Sequence, residues 1–315
     1  MFVIKHPSKI IFGKDSVQEF LFPEDCLVIT SKGAKSRGWI DKLNIKNLFL
    51  FDQVESNPSL ETTQKIISKF QNQTFSTVIG LGGGSSLDVA KFVAKELNKT
   101  KIMIPTTFGS GSEVTRISVL KVNNKKQSFH DDELISDIAI TDSSFLDSTP
   151  TIILKNSAID ACAQCTEAFD SKNANIHTKF FCKKAFDILE SALQEKNYDD
   201  LAYGSLLAGI GFGNSSTTLG HALSYVFSNE GYSHGHALAF TTSIAHKFNN
   251  SIFYSRFKKI IEALSFEPIE LKQNVENAAE LILKDKKHLD NNPQNVSKSD
   301  IISLLTKINL RQIFD

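Results

Sequence analysis

Three polar side chains recur on one helical face near the middle of this chain. In "NSAIDACAQCTEAFDS" (156–171), Asp160, Gln164 and Glu167 fall at i, i+4 and i+7, a spacing that stacks them on one face. Ala158, Ala161, Ala163 and Ala168 surround them, which suits close packing better than open solvent. Further on, "STTLGHALSYVFSNEGYSHGHALAF" places His221 in an apolar helix and His234 at the start of the next. Carboxylate and imidazole groups are the usual donors to a divalent metal. Two histidines on successive helices, with an acidic helix elsewhere, therefore form a candidate metal site. The alternative is a hydrogen-bonded polar core, and spacing alone does not separate the two. Cys162 and Cys165 form a CxxC with no second pair and no strand before it, so they read as packing residues.

A different chemistry is written earlier in the chain. "VIGLGGGSSLDVAKFVAKEL" (78–97) runs an apolar strand into three glycines and straight into a helix. A helix N-terminus offers unpaired N–H groups and a partial positive charge, and glycine lets a pyrophosphate approach the backbone. The match to dinucleotide motifs is partial: Ser85 stands where G-x-G-x-x-G has its third glycine, and no Gly-Lys-Ser/Thr follows. A tight turn with no ligand is the competing reading. "IPTTFGSGSEV" (104–114) shifts the balance, because it also follows a strand and carries Thr106, Thr107, Ser110 and Ser112. Ligands in parallel sheets sit at the carboxyl ends of strands, so two such loops side by side suit one dinucleotide. Asp88, one turn into the helix, is placed to reach a ribose or the nicotinamide amide. After the first strand–helix turn, "VITSKGAKSRG" has Ser31 where an acidic residue would repel a 2′-phosphate, with Lys32, Lys35 and Arg37 close by. The expectation is that NADPH is accepted at least as well as NADH.

The elements that must position these residues differ between the two halves. Up to about residue 150, apolar strands at 26–30, 45–54, 75–84 and 101–105 alternate with helical segments and loops. That grammar implies a parallel sheet covered on both faces. After Pro150 the pattern becomes helical, with helices expected at 151–169, 173–197, 198–212, 215–228, 234–247 and 252–265. The expected fold is an α/β domain over 1–150 and an all-α domain over 151–315. The Asn/Lys-rich run "KDKKHLDNNPQNVSKSD" (284–300) reads as a solvated loop.

Composition narrows the function classes. The chain has 315 residues, 35 basic against 35 acidic, so no net field draws it to nucleic acid or to an anionic membrane. No apolar run is long enough to span a bilayer, and "MFVIKHPSKIIFG" lacks the apolar core of a secretory signal. Four scattered cysteines make no disulfide framework. The reading is a cytoplasmic protein acting on a small molecule, with neither nucleic acid nor membrane as partner and a homodimer as the candidate assembly.

Taken in order, "GLGGGSSLDVAK", "IPTTFGSGSEVT", "AIDACAQCTEAF" and "GHALSYVF…YSHGHA" resemble the iron-dependent (group III) alcohol dehydrogenases. The resemblance runs from "SKIIFG" (8–13) to about residue 245, and "ITSKGAKSRG" and "HALSY" look most like the phosphonoacetaldehyde reductase-like branch. It implies a dehydroquinate synthase-like fold: an α/β dinucleotide-binding domain, a helical domain and an active site between them. It implies NAD(P) held by Gly82, Gly83, Gly84 and Ser85, with Asp88 near the nicotinamide. Thr106, Thr107 and Ser110 would line the other side, and Lys126 would reach a ribose. It implies a divalent metal, Fe²⁺ or Zn²⁺, on Asp160, His221 and His234. The position of the family's fourth ligand, a histidine, holds Gln164, a weaker donor toward these ions. Tyr225 stands where the family often has another histidine; it and His236 are the candidates for proton delivery. The implied activity is metal-dependent hydride transfer between NAD(P)H and a small aldehyde, including an anionic one such as phosphonoacetaldehyde. The alternatives are an enzyme like dehydroquinate synthase or glycerol phosphate dehydrogenase, which the scarcity of basic residues near the helical motifs disfavours, and a metal-free, non-catalytic relative.

Overall fold

The computed structural model describes residues 1–123 and 125–313; calls on Asn124 and the last two residues lie outside them. The first half contains β1 (Lys9–Phe12), α1 (Ser16–Glu19), β2 (Asp25–Thr30), α2 (Gly33–Ser36), β3 (Asn47–Phe51), α3 (Leu60–Phe70), β4 (Thr77–Gly82), α4 (Gly84–Glu96), β5 (Thr100–Pro105), β6 (Ile117–Val122), β7 (Lys125–His130) and β8 (Ile138–Thr141). Six strands form a sheet in the order β1-β8-β5-β4-β2-β3, parallel throughout. Alternation along each strand feeds two cores. Leu27, Ile29, Val78 and Met103 pack under α3 and α4, while Cys26, Val28, Ile79 and Ile102 fill the opposite face.

Register aligns the strand ends that matter. Thr30 pairs with Leu81, and Gly82 with Pro105. The turns after β2, β4 and β5 therefore open on one edge of the sheet. The β6–β7 hairpin and β8 escaped the sequence reading. The hairpin's signal is "SVLKVNNKKQSF", whose Asn-Asn pair suits a turn needing left-handed backbone; Asn123 has φ of 51°.

The second half is helical: α5 (Thr151–Asp170), α6 (Ile176–Glu195), α7 (Tyr198–Phe212), α8 (Leu219–Asn229), α9 (His234–Phe248), α10 (Tyr254–Leu264), α11 (Val275–Ile282), α12 (Lys286–Asn291) and α13 (Lys298–Asn309). The six helices expected from periodicity are present as α5 to α10, with ends shifted by a few residues. A single apolar cluster joins α5 to α13. No helix among the described residues is long and apolar enough to cross a membrane.

The stretch expected as a solvated loop at 284–300 is instead a built part of this half. Asp285 caps α12, and Ser297 with Asp300 forms a capping box at α13. His288, Asn291 and Asn292 are buried. Asn291 donates to the Ser215 and Thr217 carbonyls, and Asn292 exchanges amide bonds with Asn249. Its polar composition reflects amides that satisfy buried backbone groups, not exposure.

One helix ties the sheet to the loop beneath the second half. Lys91 of α4 has no exposed surface and donates to the carbonyls of Ser112, Thr115 and Ile117. Its ammonium lies 3.6 Å from Asp88, which accepts from the Ser112 hydroxyl and the Val119 N–H. Removing the cation would strand a buried carboxylate and three carbonyls. Lys91→Met is therefore expected to lower unfolding free energy by about 3–5 kcal/mol, read from denaturant titration; a loss below about 1 kcal/mol would show the cluster to be dispensable.

Candidate functional site

Two cavities lie where the strand ends meet the helices. The first is about 380 Å³ and is lined by Ser31, Arg37, Gly83, Gly84, Ser85, Thr106 and Thr107 among others. It is built by the glycine turn. Gly82 has φ of +147°, and a Cβ there would press into the Ser86 side chain, so only glycine fits. Gly83 caps α4 without any side-chain bond, which leaves first-turn N–H groups for a ligand. A Cβ on Gly83 would meet Thr107, and one on Gly84 would meet Ser110. The two small-residue loops are thus in contact, and the cleft's size falls in the range of roughly 300–1,000 Å³ usual for ligand pockets.

The second cavity, about 170 Å³, is lined by Asp88, Ser110, Asp160, Gln164, His221, Tyr225, His234, Lys287 and His288 among others. Asp88 belongs here and not to the glycine cleft, and its carboxylate is already engaged by Ser112 and Val119. Lys126 lines neither cavity; it sits on β7, where desolvation and the Lys121 charge lower its pKa and the Asp160 carboxylate opposes them.

Asp160, His221 and His234 each bring a donor atom to within 4.8 Å of the other two. Asp160 Oδ1 lies 3.8 Å from His221 Nε2 and 3.9 Å from His234 Nε2. A tetrahedral ion with bonds of about 2.1 Å needs donors about 3.4 Å apart, so these gaps are close to a metal's requirement. Gln164 donates its amide N–H to Asp160 Oδ1 at 2.9 Å, while its Oε1 is buried without a hydrogen-bond partner. An unpaired buried acceptor beside two imidazoles and a carboxylate fits a cation. The donor set and the orphaned oxygen both suit the metal that the resemblance implies.

Glu167 is what aims His221, a role its spacing alone did not reveal. Its carboxylate is 3.0 Å from His221 Nδ1 and accepts from the N–H groups of Thr218 and His221 and the hydroxyls of Thr218 and Thr242. Bonding Nδ1 leaves Nε2 to face Asp160. The approach is possible because residue 220 is glycine: a Cβ there would occupy the Glu167 carboxylate. Gly235 does the same for the next helix, since a Cβ would run into the Asn156 backbone of α5. Burial drives the His221 imidazolium down, but Glu167 and Asp160 outweigh it and lift its pKa to about 9. Burial raises Glu167, yet His221 and the backbone donors hold it at about 2. Burial pushes His234 down to about 4, leaving a neutral imidazole able to donate its lone pair.

The remaining candidates divide. Tyr225 lines the cavity and stacks on His234 at 6.2 Å, and burial pushes its hydroxyl well above the usual range. His236 bonds the Glu267 carbonyl and packs on Tyr232 and Phe266, outside the cavity. Cys162 and Cys165 are buried free thiols raised by burial, as packing residues would be. Gly231-Tyr232-Ser233-His234-Gly235 spells G-x-S-x-G, but it joins two helices where a nucleophile elbow needs a strand before it, and Ser233 donates its hydroxyl to Asn156. His288 and Lys287 were missed, because a run read as loop gave them no face; the buried His288 ring stacks 6.3 Å from His221.

Comparisons with known proteins bear on the family and the fold. Residues 7–143 match the family model for iron-containing alcohol dehydrogenase, and residues 155–284 match the C-terminal model of the same family. A long-chain-alcohol dehydrogenase from Geobacillus thermodenitrificans is 33% identical over 63% of this chain and 59% of its own length. A 4-hydroxybutyrate dehydrogenase from Clostridium kluyveri is 35% identical over 57% of this chain and 56% of its own. The chain thus spans a little over half the length of these curated relatives. A crystal structure of an iron-containing alcohol dehydrogenase superposes with a TM-score of 0.89 at 23% identity, covering 98% of this chain and 99% of that one, which places the fold.

Partners that orient a metal-binding histidine are commonly worth about 10–100-fold in metal affinity. Glu167→Gln is expected to weaken Zn²⁺ binding by that amount, measured by competition with a chromophoric chelator. Native affinity in that variant would remove Glu167 from any role in aiming His221.

Proposed function

This chain belongs to the iron-containing alcohol dehydrogenase family, and on that premise we propose that it transfers a hydride reversibly between NAD(P)H and a small aldehyde or the matching primary alcohol. The observation that carries the reading is the convergence of Asp160, His221 and His234 donors in a cavity whose wall shares Ser110 with the glycine turn. A bound divalent metal would supply Lewis-acid polarisation of the carbonyl and stabilise the developing alkoxide. The chain's own residues do the rest. Asp160, His221 and His234 hold the ion, with Gln164 Oε1 as a weak fourth donor. Gly83, Gly84 and Ser85 present N–H groups to the pyrophosphate. Thr106, Thr107 and Ser110 line the path from the glycine cleft toward the second cavity, and Asp88 bounds the nicotinamide end. With its hydroxyl pushed up by burial, Tyr225 is a positioning group and a poor proton donor. The division near residue 150 separates the nucleotide half from the metal half in this reading.

The narrower substrate class is an anionic short-chain aldehyde, of which phosphonoacetaldehyde is one example. The small, hydroxyl-rich second cavity favours it, as does similarity to a protein named for 4-hydroxybutyrate. A metal-free relative is the second reading, favoured by the Gln164 amide on Asp160 Oδ1, which occupies the oxygen an ion would use. Metal analysis with NAD(P)H oxidation by two- to four-carbon aldehydes decides between them. Bound Fe²⁺ or Zn²⁺, with turnover lost on chelation and restored by the ion, supports the enzyme. Absence of both metal affinity and turnover supports the relative.

Cofactor choice follows from the mouth of the glycine cleft, where Ser31 and Arg37 stand with Trp39 beneath the guanidinium. NADPH is expected to bind at least as well as NADH. Ser31→Asp is expected to lower NADPH affinity about ten-fold or more by fluorescence titration, with NADH affected less, because its carboxylate would repel a 2′-phosphate. Equal losses for both nucleotides would dissociate Ser31 from this selectivity.

A further inference from the structure

α12 carries a cation into the cavity that holds the metal donors. Lys287 is the only Lys or Arg among the described residues lining that cavity. Its neighbour His288 lies between it and the donors: the His288 ring is 6.3 Å from His221 and 5.9 Å from Tyr225, and its Nδ1 is held by Asp285 at 2.7 Å. The ammonium is held at the cavity's rim, where the Lys287 side chain is exposed. Lys287 Nζ lies 2.5 Å from His130 Nε2 on β7. Burial and the nearby Lys287 and Arg116 charges push His130 down to about 4, so the imidazole is neutral near pH 7 and accepts that proton bond. One acceptor leaves the ammonium with further N–H donors. The rest of the wall is rich in hydroxyls, from Ser110, Ser112, Thr115, Ser128, Ser216 and Thr217.

We propose that Lys287 is the anchor for the anionic end of the substrate, and so the residue that selects a short ω-anionic aldehyde over a neutral one of equal length. The inference rests on reading this cavity as the aldehyde site. With the carbonyl beside Asp160, His221 and His234, the far end of a short chain meets α12. A carboxylate, sulfonate or phosphonate there gains a charge-assisted bond, which a methyl group cannot supply. Asp160 opposes an anion at the carbonyl end, which fixes the direction in which such a substrate enters.

The experiment compares succinic semialdehyde with butanal, using the metal-loaded chain and NADPH. Wild type is expected to favour the anionic aldehyde in kcat/KM. Lys287→Met is expected to cut that preference ten-fold or more, and Lys287→Arg to keep most of it. An unchanged preference in Lys287→Met, or equal losses on both aldehydes, overturns the proposal. Sulfoacetaldehyde and phosphonoacetaldehyde, run alongside, identify which anion the site prefers. A binding arm keeps the inference separate from catalysis: 4-hydroxybutyrate, but not 1-butanol, is expected to raise the melting temperature of the wild-type chain and not of Lys287→Met. If no aldehyde is reduced but this Lys287-dependent shift is present, the dehydrogenase reading fails and the anion site stands. If aldehydes are reduced without any such shift or preference, the anion site fails alone.

Discussion

A single buried carboxylate organises the helical half. Glu167 gathers donors from the start of α8 and from α9, and in doing so it fixes where α8 begins, how His221 is turned and how closely α9 can pack. An isolated charge at that depth would be prohibitive. It is stable only because every partner is in place at once, so the helices that supply them cannot shift independently. The glycines at 220 and 235 are the steric complement of this constraint, removing atoms where backbone and carboxylate must share space. Satisfying Glu167 thus also sets the direction of the His221 ring, one of the three donors.

The same charges define what kind of site this is. His221 sits between two carboxylates and binds its proton tightly, while His234, a third exposed, is a neutral base. A cation arriving at Nε2 of His221 takes the place of a proton that the pair already stabilises, so loading releases protons and weakens toward acid.

Much of this was legible in the residues, for identifiable reasons. Continuous apolar runs mark β2, β4 and β5, and helical patterns mark α5 to α10, and those elements lie where they were expected. Asp160, His221 and His234 were named together by the family resemblance, since they lie on three separate helices and helical spacing could only put Asp160, Gln164 and Glu167 on one face. The β6–β7 hairpin was hidden by its polar residues: β6 buries Ser118 and Leu120, but Lys121, Lys125, Lys126 and Gln127 break the apolar run. α12 was hidden more deeply, because Asn, Asp and Lys usually mark solvent and here the asparagines bond buried carbonyls. Glu167 looked like one more polar residue on a face, since nothing in a single helix tells which donors another helix will bring. Asp88 sat on the expected turn, but its pairing with Lys91 and Ser112 depends on a loop that closes only in three dimensions.

That pairing makes α4 a mechanical link. At its N-terminus the helix offers bare amides to the glycine cleft; one and two turns on, Asp88 and Lys91 grip the loop and strand that wall the other cavity. A rigid rod clamped at both ends transmits displacement instead of absorbing it. Any settling of α4 onto a phosphate is felt at Ser112 and Val119, and any strain imposed there by a ligand in the small cavity returns to the glycine turn. Reciprocity then requires that whatever free energy one ligand spends on that displacement is felt equally by the other, and the route between them is short, from Gly84 to Lys91 along a single helix.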